Sequence, residues 1–272
     1  MTGSTALGEY LRARRALVDP ADVGLTTAGV RRTPGLRREE VATLAGISAD
    51  YYLRLEQGRD RNPSTQVLEA LARVLRLDAA ATQYLLGLPA ARPPARRRAR
   101  RDTVPVGIRL LLDTLTLPAF VENRRFDVIA ANRLASAVSP AIRVGGNRVR
   151  AVLLDDAERD LWVDWEEVAA SMVASLRTSI GTDDDPATAQ LVGELSLASE
   201  TFRQHWARHD VRALGGGVIR MRHPQVGDLE LRREKLPIPD TAGQLLAIYH
   251  AEPGSPSAQA LALLGTLAAA PT

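Results

Sequence analysis

The stretch REEVATLAGISADYYLRLEQGRDRNPS, residues 38 to 64, places two helical patterns on either side of a single Gly46. So short a connection forces the two helices to cross within one supersecondary unit. The first is expected over 37–45 and the second over 48–57. The side chain facing such a crossing must be small, and the turn needs a residue that tolerates positive φ. Ala42 and Gly46, four apart, meet those demands. Val41, Ala45, Ile47, Tyr52 and Leu55 supply the apolar contacts that fix the crossing. This leaves Ser48, Ala49, Asp50, Tyr51, Arg54 and Gln57 outward on the second helix, as in a helix-turn-helix.

That outward set has the chemistry to read bases. An arginine grips a guanine edge through two hydrogen bonds, an aspartate accepts from cytosine, and an alanine methyl meets the thymine methyl; each good bidentate pair is worth roughly 1 to 3 kcal/mol of discrimination. Arg54, Asp50 and Ala49 are assigned those roles. Arg37, Arg38, Arg59, Arg61 and Gln57 are assigned to phosphates, which fix register rather than sequence. The alternative is a helical hairpin for protein contacts, with Arg54 and Arg59 pairing with Glu56 and Asp60 on a solvated face. Both place double-stranded DNA or a protein, such as a sigma factor, against the same surface.

Around this unit the pattern stays helical. LGEYLRARRALV (7–18) reads as an amphipathic first helix ended by Asp19-Pro20, followed by a long loop through Pro34-Gly35. STQVLEALARVL (64–75) and AAATQYLLGL (79–88) supply the fourth and fifth helices. Ser48 and Ser64 stand where helix-capping residues are wanted, and Gly58 where a left-handed residue ends a helix. Residues 1–88 are therefore an all-α five-helix domain. Segment 89–104 is rich in proline and arginine and reads as a linker, either a plain spacer or one whose arginines follow the phosphate backbone.

Charge supports that division. Residues 1–101 carry 18 Arg against 10 Asp plus Glu, a net of +8, whereas 102–272 carry 17 Lys plus Arg against 22 acids, a net of −5. A basic half holds a polyanion by releasing its counterions, and an acidic half is repelled by it. Lys235 is the only lysine. Cysteine is absent, which excludes disulfides and thiolate metal sites. No apolar run approaches the roughly 18 to 20 residues of a membrane helix and no leader pattern opens the chain, so a soluble, cytoplasmic protein with no membrane partner is expected.

Residues 105–272 change texture. PAFVEN and FDVIAAN read as strands around Arg124-Arg125, then a helix RLASAV, a long helix over 164–180 and two more over 186–198 and 200–209. GGGVIRMRHP, GDLELRREKLPI and QLLAIYHA read as a three-strand meander with a turn at Gly227-Asp228, and SPSAQALALLGTLAAA as a closing helix. This is an α+β domain with an antiparallel sheet and helices on one side of it.

RRTPGLRREEVATLAGISADYYLRLEQGR, with FRQHWARHDV, MRHPQVGDLEL and YHAEPGSPS downstream, resembles the XRE-type helix-turn-helix regulators with an MmyB-like ligand-binding domain. The resemblance implies a λ-repressor-like five-helix domain and, from about 105, a PAS-like sensor domain for which fatty-acid-like ligands have been proposed; it departs at Arg232 and Arg233. A small apolar ligand, a homodimer and a pseudo-palindromic operator are the partners it implies. Trp165, Met172, Leu176, Phe202, Trp206, Met221 and Tyr249 are the candidates for the ligand cavity of such a domain. His205 and His209, with His223, have one feature of a metal site, but HExxH is absent and no metal or cofactor is expected. There is no G-x-S-x-G, phosphate-cradling loop or cysteine nucleophile, so no catalytic residue is assigned and the chain is not expected to be an enzyme.

Overall fold

The computed structural model describes residues 5–25, 35–60, 62–89, 103–181, 185–213 and 215–269. The chain divides into two compact units. One is Met1–Ala95 with Gly181–Asp184 and Gln204–Ala213, the other Arg96–Ile180 with Asp185–Arg203 and Leu214–Thr272.

The first unit holds α1 (Ala6–Leu17), a 3-10 turn Pro20–Val23, α2 (Arg38–Ala45), α3 (Ala49–Glu56), α4 (Thr65–Val74) and α5 (Ala79–Gly87), the five helices expected. Their starts are set by side chains that accept otherwise orphaned backbone donors: Thr5 for Gly8, Ser48 for Tyr51, Ser64 for Val67 and Asp78 for Ala81. One core gathers Leu7, Tyr10 and Leu11 of α1, Val41 and Ala42 of α2, Tyr52 and Leu55 of α3 and the leucines of α4 and α5. Each fully buried leucine contributes roughly 1.5–3 kcal/mol.

Two glycines set this geometry. Gly46 ends α2 at φ 70°, its N–H returning to the carbonyls of Ala42 and Thr43. A Cβ there would meet nothing within 4 Å, so the conformation, not crowding, requires glycine at the turn. Crowding is decisive instead at Gly8, which the sequence did not single out: a Cβ on it would sit 2.3 Å from the Glu56 carbonyl oxygen. Here α1 lies directly on the end of α3.

The second unit contains α6 (Val106–Thr114), β1 (Ala119–Glu122), β2 (Val128–Ala131), α7 (Arg133–Val138), α8 (Arg148–Leu154), α9 (Asp156–Leu161), α10 (Trp165–Ile180), α11 (Pro186–Ala198), the first half of α12 (Glu200–Ala207), β3 (Gly217–His223), β4 (Gly227–Pro237), β5 (Leu245–His250) and α13 (Pro256–Ala269). The five strands form an antiparallel sheet in the order β2-β1-β5-β4-β3, the PAS-like α+β architecture expected. The β3–β4 turn occupies 224–226, one step before the expected pair, and Gly227 opens β4 at φ 77°.

Helices cover both faces of this sheet, not one. Register puts Ala119, Val121, Leu246 and Ile248 on one face, where Ile108 and Leu112 of α6 pack against them. Phe120, Glu122, Ala247, Tyr249 and Lys235 share the other, and α8 reaches it through Arg148. Helices α6, α8 and α9 are not apparent from the sequence pattern. The apolar residues of α6 lie all round it, which hides a helical period, and α8 and α9 start on Asn147 and Asp155, whose side chains accept from Arg150 and Ala157.

Gly8→Ala is expected to lower the stability of the first unit by about 1–3 kcal/mol, the usual cost of overpacking, while the second unit keeps its own melting transition. Calorimetry checks this, with a Trp206→Phe background leaving Trp162 and Trp165, both in the second unit, as the emission reporters of its transition. An unchanged transition in the helical unit would rule out the close approach of α1 to α3.

Candidate nucleic-acid interface and sensor core

The α2–turn–α3 connection is closed by backbone bonds, Ile47 N–H to the Ala42 carbonyl at 3.0 Å and Tyr52 N–H to the Ser48 carbonyl at 3.0 Å. This directs Tyr52, Leu55 and Glu56 inward. Ser48, Ala49 and Asp50 are exposed, and Tyr51, Arg54 and Gln57 are half-buried along the same outward side. Arg54 forms an ion pair with Asp50 and lies 5.5 Å over the Tyr51 ring. Two side chains assigned to separate bases therefore hold each other. An exposed pair four residues apart is worth only about 0.3–0.5 kcal/mol, less than the roughly 1–3 kcal/mol of a bidentate contact to a base. The pair positions Arg54 without withholding it.

The assigned phosphate contacts divide. Arg37 and Arg59 are exposed, and Arg37 donates its backbone N–H to Glu40 at 2.6 Å at the start of α2. Gln57 turns its carbonyl oxygen inward, away from solvent. Arg61 lies outside the described residues. Arg38 is exposed as well, and its Nε donates to Glu56 at 2.7 Å.

Glu56 is the centre of this arrangement. Its carboxylate is 0% exposed and also accepts from Arg15 Nε at 2.7 Å, while Arg15 Nη1 donates to the Leu36 carbonyl at 2.6 Å. Burial pushes the Glu56 carboxyl up, but the hydrogen bonds and charges of Arg15 and Arg38 outweigh it and hold the group below the usual carboxylate range. Glu56 therefore does not pair with Arg54 on the surface. It ties α1, the entry to α2 and the end of α3 together behind the outward face.

The sheet interior of the second unit holds a buried polar cluster. Lys235 Nζ donates to one oxygen of Glu122 at 2.6 Å, Arg148 Nη1 to the other at 2.9 Å, and Arg148 Nη2 to the Tyr249 hydroxyl at 3.0 Å. The Arg148 guanidinium lies 4.9 Å from the Phe120 ring centre and the Lys235 ammonium 4.6 Å from that of Phe126. Burial, then repulsion from Arg148 and Arg233, lowers the Lys235 amine to about 8 despite Glu122. The two cations in turn offset the burial of Glu122 and hold its carboxyl low.

Of the residues expected to line a ligand cavity, Met172, Leu176, Phe202 and Tyr249 are packed in the core, and Trp165 donates its indole N–H to the Val152 carbonyl at 2.7 Å. Trp206 falls in the other unit. Met221 lines a cleft of about 500 Å³ beside Val163, Leu229 and Pro256. A second cleft of about 490 Å³ runs between the ends of α6 and α13 and the start of α7. Glu122, Arg148 and Lys235 were missed by sequence. The detectable signal was the inward period of β4, where Leu229 and Leu231 are continued by Arg233 and Lys235.

The three histidines are not brought together. His223 Nε2 bonds to the Ala137 carbonyl at 2.9 Å and its Nδ1 accepts from Gln225 N–H at 3.2 Å. In the other unit, His209 meets the Tyr10 ring edge-on. Among the described residues no group of three metal-ligating side chains is close enough to hold an ion, and no helix is long and apolar enough to cross a membrane.

Compared with known protein families, residues 104–264 match the MmyB-like transcription regulator ligand binding domain, and residues 6–85 match a helix-turn-helix domain. None of the curated proteins compared with the chain matches it.

Two titrations follow. Because folding depresses the Glu56 pKa, its contribution is present above the unfolded carboxylate value and is lost as pH falls through the folded one. The helical unit is expected to lose stability on acidification, and Glu56→Gln to cost about 3 kcal/mol at neutral pH by stranding the buried Arg15 while flattening that acid limb in urea melts. Lys235 has the same sign in a different window: its folded pKa also lies below the unfolded one, so the unfolded chain binds the proton more tightly and this group adds stability as pH rises from about 8 towards its ordinary 10.5. With lysine labelled at 13Cε, the one side-chain signal should titrate near 8; a midpoint in the ordinary lysine range would contradict the buried placement.

Proposed function

Because the chain belongs to the family of MmyB-like transcription regulators, whose ligand-binding domain spans more than half of it behind a helix-turn-helix domain, we propose that it binds a specific operator and adjusts that binding to a small apolar or amphiphilic ligand. In this reading residues 1–88 read DNA, 89–104 link, and 105–272 sense the ligand and join two copies, with no catalytic role. The observation that carries it is the outward side of α3, exposed from Ser48 to Asp50 and backed by the Glu56 ion triad. Arg54, released from Asp50, reads a base edge, and Arg37 and Arg59 hold phosphates. A two-fold dimer in the cytoplasm presents two such helices about 34 Å apart to a pseudo-palindromic site. The ligand shifts that arrangement only as far as its affinities for the bound and unbound states differ. The cleft beside Met221, where Val163, Val218 and Leu229 are interleaved with Arg220, Arg222, Glu230 and Arg232, offers an amphiphile both apolar and charged contacts.

Selection of duplexes from a random pool, followed by salt titration, tests the reading. Affinity should fall linearly on logarithmic axes with salt. Arg54→Ala should relax preference at one base position by about 1–3 kcal/mol, and Arg59→Ala should weaken all sequences alike. If neither variant changes duplex affinity, the helical unit serves a protein partner instead. For the sensor, native mass spectrometry of protein from its host should show a lipid-sized adduct, and its consistent absence would reduce the second unit to a dimerisation platform.

A further inference from the structure

We propose that the outward face of α6 is the surface on which a second copy of the chain docks, the two α6 helices antiparallel about a two-fold axis. The inference rests on the dimeric reading above and assigns it an interface. α6 turns Ile108 and Leu112 towards the sheet. At 100° per residue Leu110 points almost directly away from them, flanked by Val106 and Leu111. Leu110, Val106 and Leu111 are 62%, 73% and 39% exposed, and Leu117, just beyond the helix, is 37% exposed. Scattered exposed apolar residues are ordinary; a contiguous row across nearly a whole short helix marks an interaction site.

Three features select a second copy as the occupant. Gly107 shares the outward face, and a Cβ there would meet nothing within 4 Å, so another helix can approach the bare backbone. Arg109 and Asp113 are both exposed along one flank, four apart, and neither forms an ion pair among the described residues. A two-fold axis passing beside residue 111 brings Arg109 of one copy to Asp113 of the other, twice, which is the reciprocity an isologous contact requires. A foreign helix would need that charge pattern by coincidence; a second copy carries it by symmetry. Nine residues make α6 about 13 Å long, and paired helices pack 8–10 Å apart, so two such chains emerge within roughly 20 Å of each other, inside the ~34 Å between half-sites.

Sedimentation velocity on the full chain at micromolar concentration tests the assignment, with melting temperature recorded for every variant. Wild type is expected to be dimeric, and Leu110→Glu to weaken the dimer at least about tenfold with its melting unchanged, as burial of an unpaired charge requires. Leu197→Glu, at a residue 87% exposed on α11, should leave the dimer intact. Arg109→Asp or Asp113→Arg alone should weaken the dimer by like-charge contacts, and the double reversal should restore it. A dimer that survives Leu110→Glu, or charge reversals that fail to compensate, overturns the α6 interface while leaving the dimeric reading standing. A monomeric wild type overturns both.

Discussion

The buried carboxylate of Glu56 controls the helical unit. A charge removed from water is costly unless it is paired and fully hydrogen-bonded, and Glu56 meets that condition only when Arg15 of α1 and Arg38 of α2 both point at the end of α3. Apolar contacts alone allow several crossing angles of nearly equal energy. The ion triad allows one. It operates at the point where Gly8 lets α1 touch the α3 backbone, so steric and electrostatic requirements converge on the helix that carries the outward residues. The outward side of α3 is fixed in place because what lies behind it cannot be rearranged without stranding a charge.

The second unit also places charge inside. Glu122, Arg148 and Lys235 lie on the face of the sheet opposite α6, among Phe120, Phe126 and Tyr249. Glu122 lies between two cations, and burial, helped by repulsion from Arg148 and Arg233, depresses the lysine amine.

Local rules made the first unit legible. Ser48, Ser64 and Gly58 mark helix ends that depend on one or two residues each, and the 3.6-residue period of the cores locates the rest. Gly8 was not legible, because its neighbour is Glu56, 48 positions away, and a glycine demanded by a distant backbone looks like any other. The tie from Arg38 to Glu56 was not legible either, because nothing local reveals that Glu56 is buried beneath it. In the second unit the strands are legible from alternation, but α6 is hidden by leucines facing both sheet and solvent, and the inward charges of β4 emerge only when its residues are sorted by face.

The solitary lysine has a practical consequence. Reagents that acylate amines find a single side-chain target in the whole protein, and its nitrogen is engaged with Glu122 beneath an aromatic ring. Modification at residue 235 therefore measures how often the sheet and its covering helices part. The protein carries its own chemical clock for breathing of the sensor core, readable by mass without any engineered label.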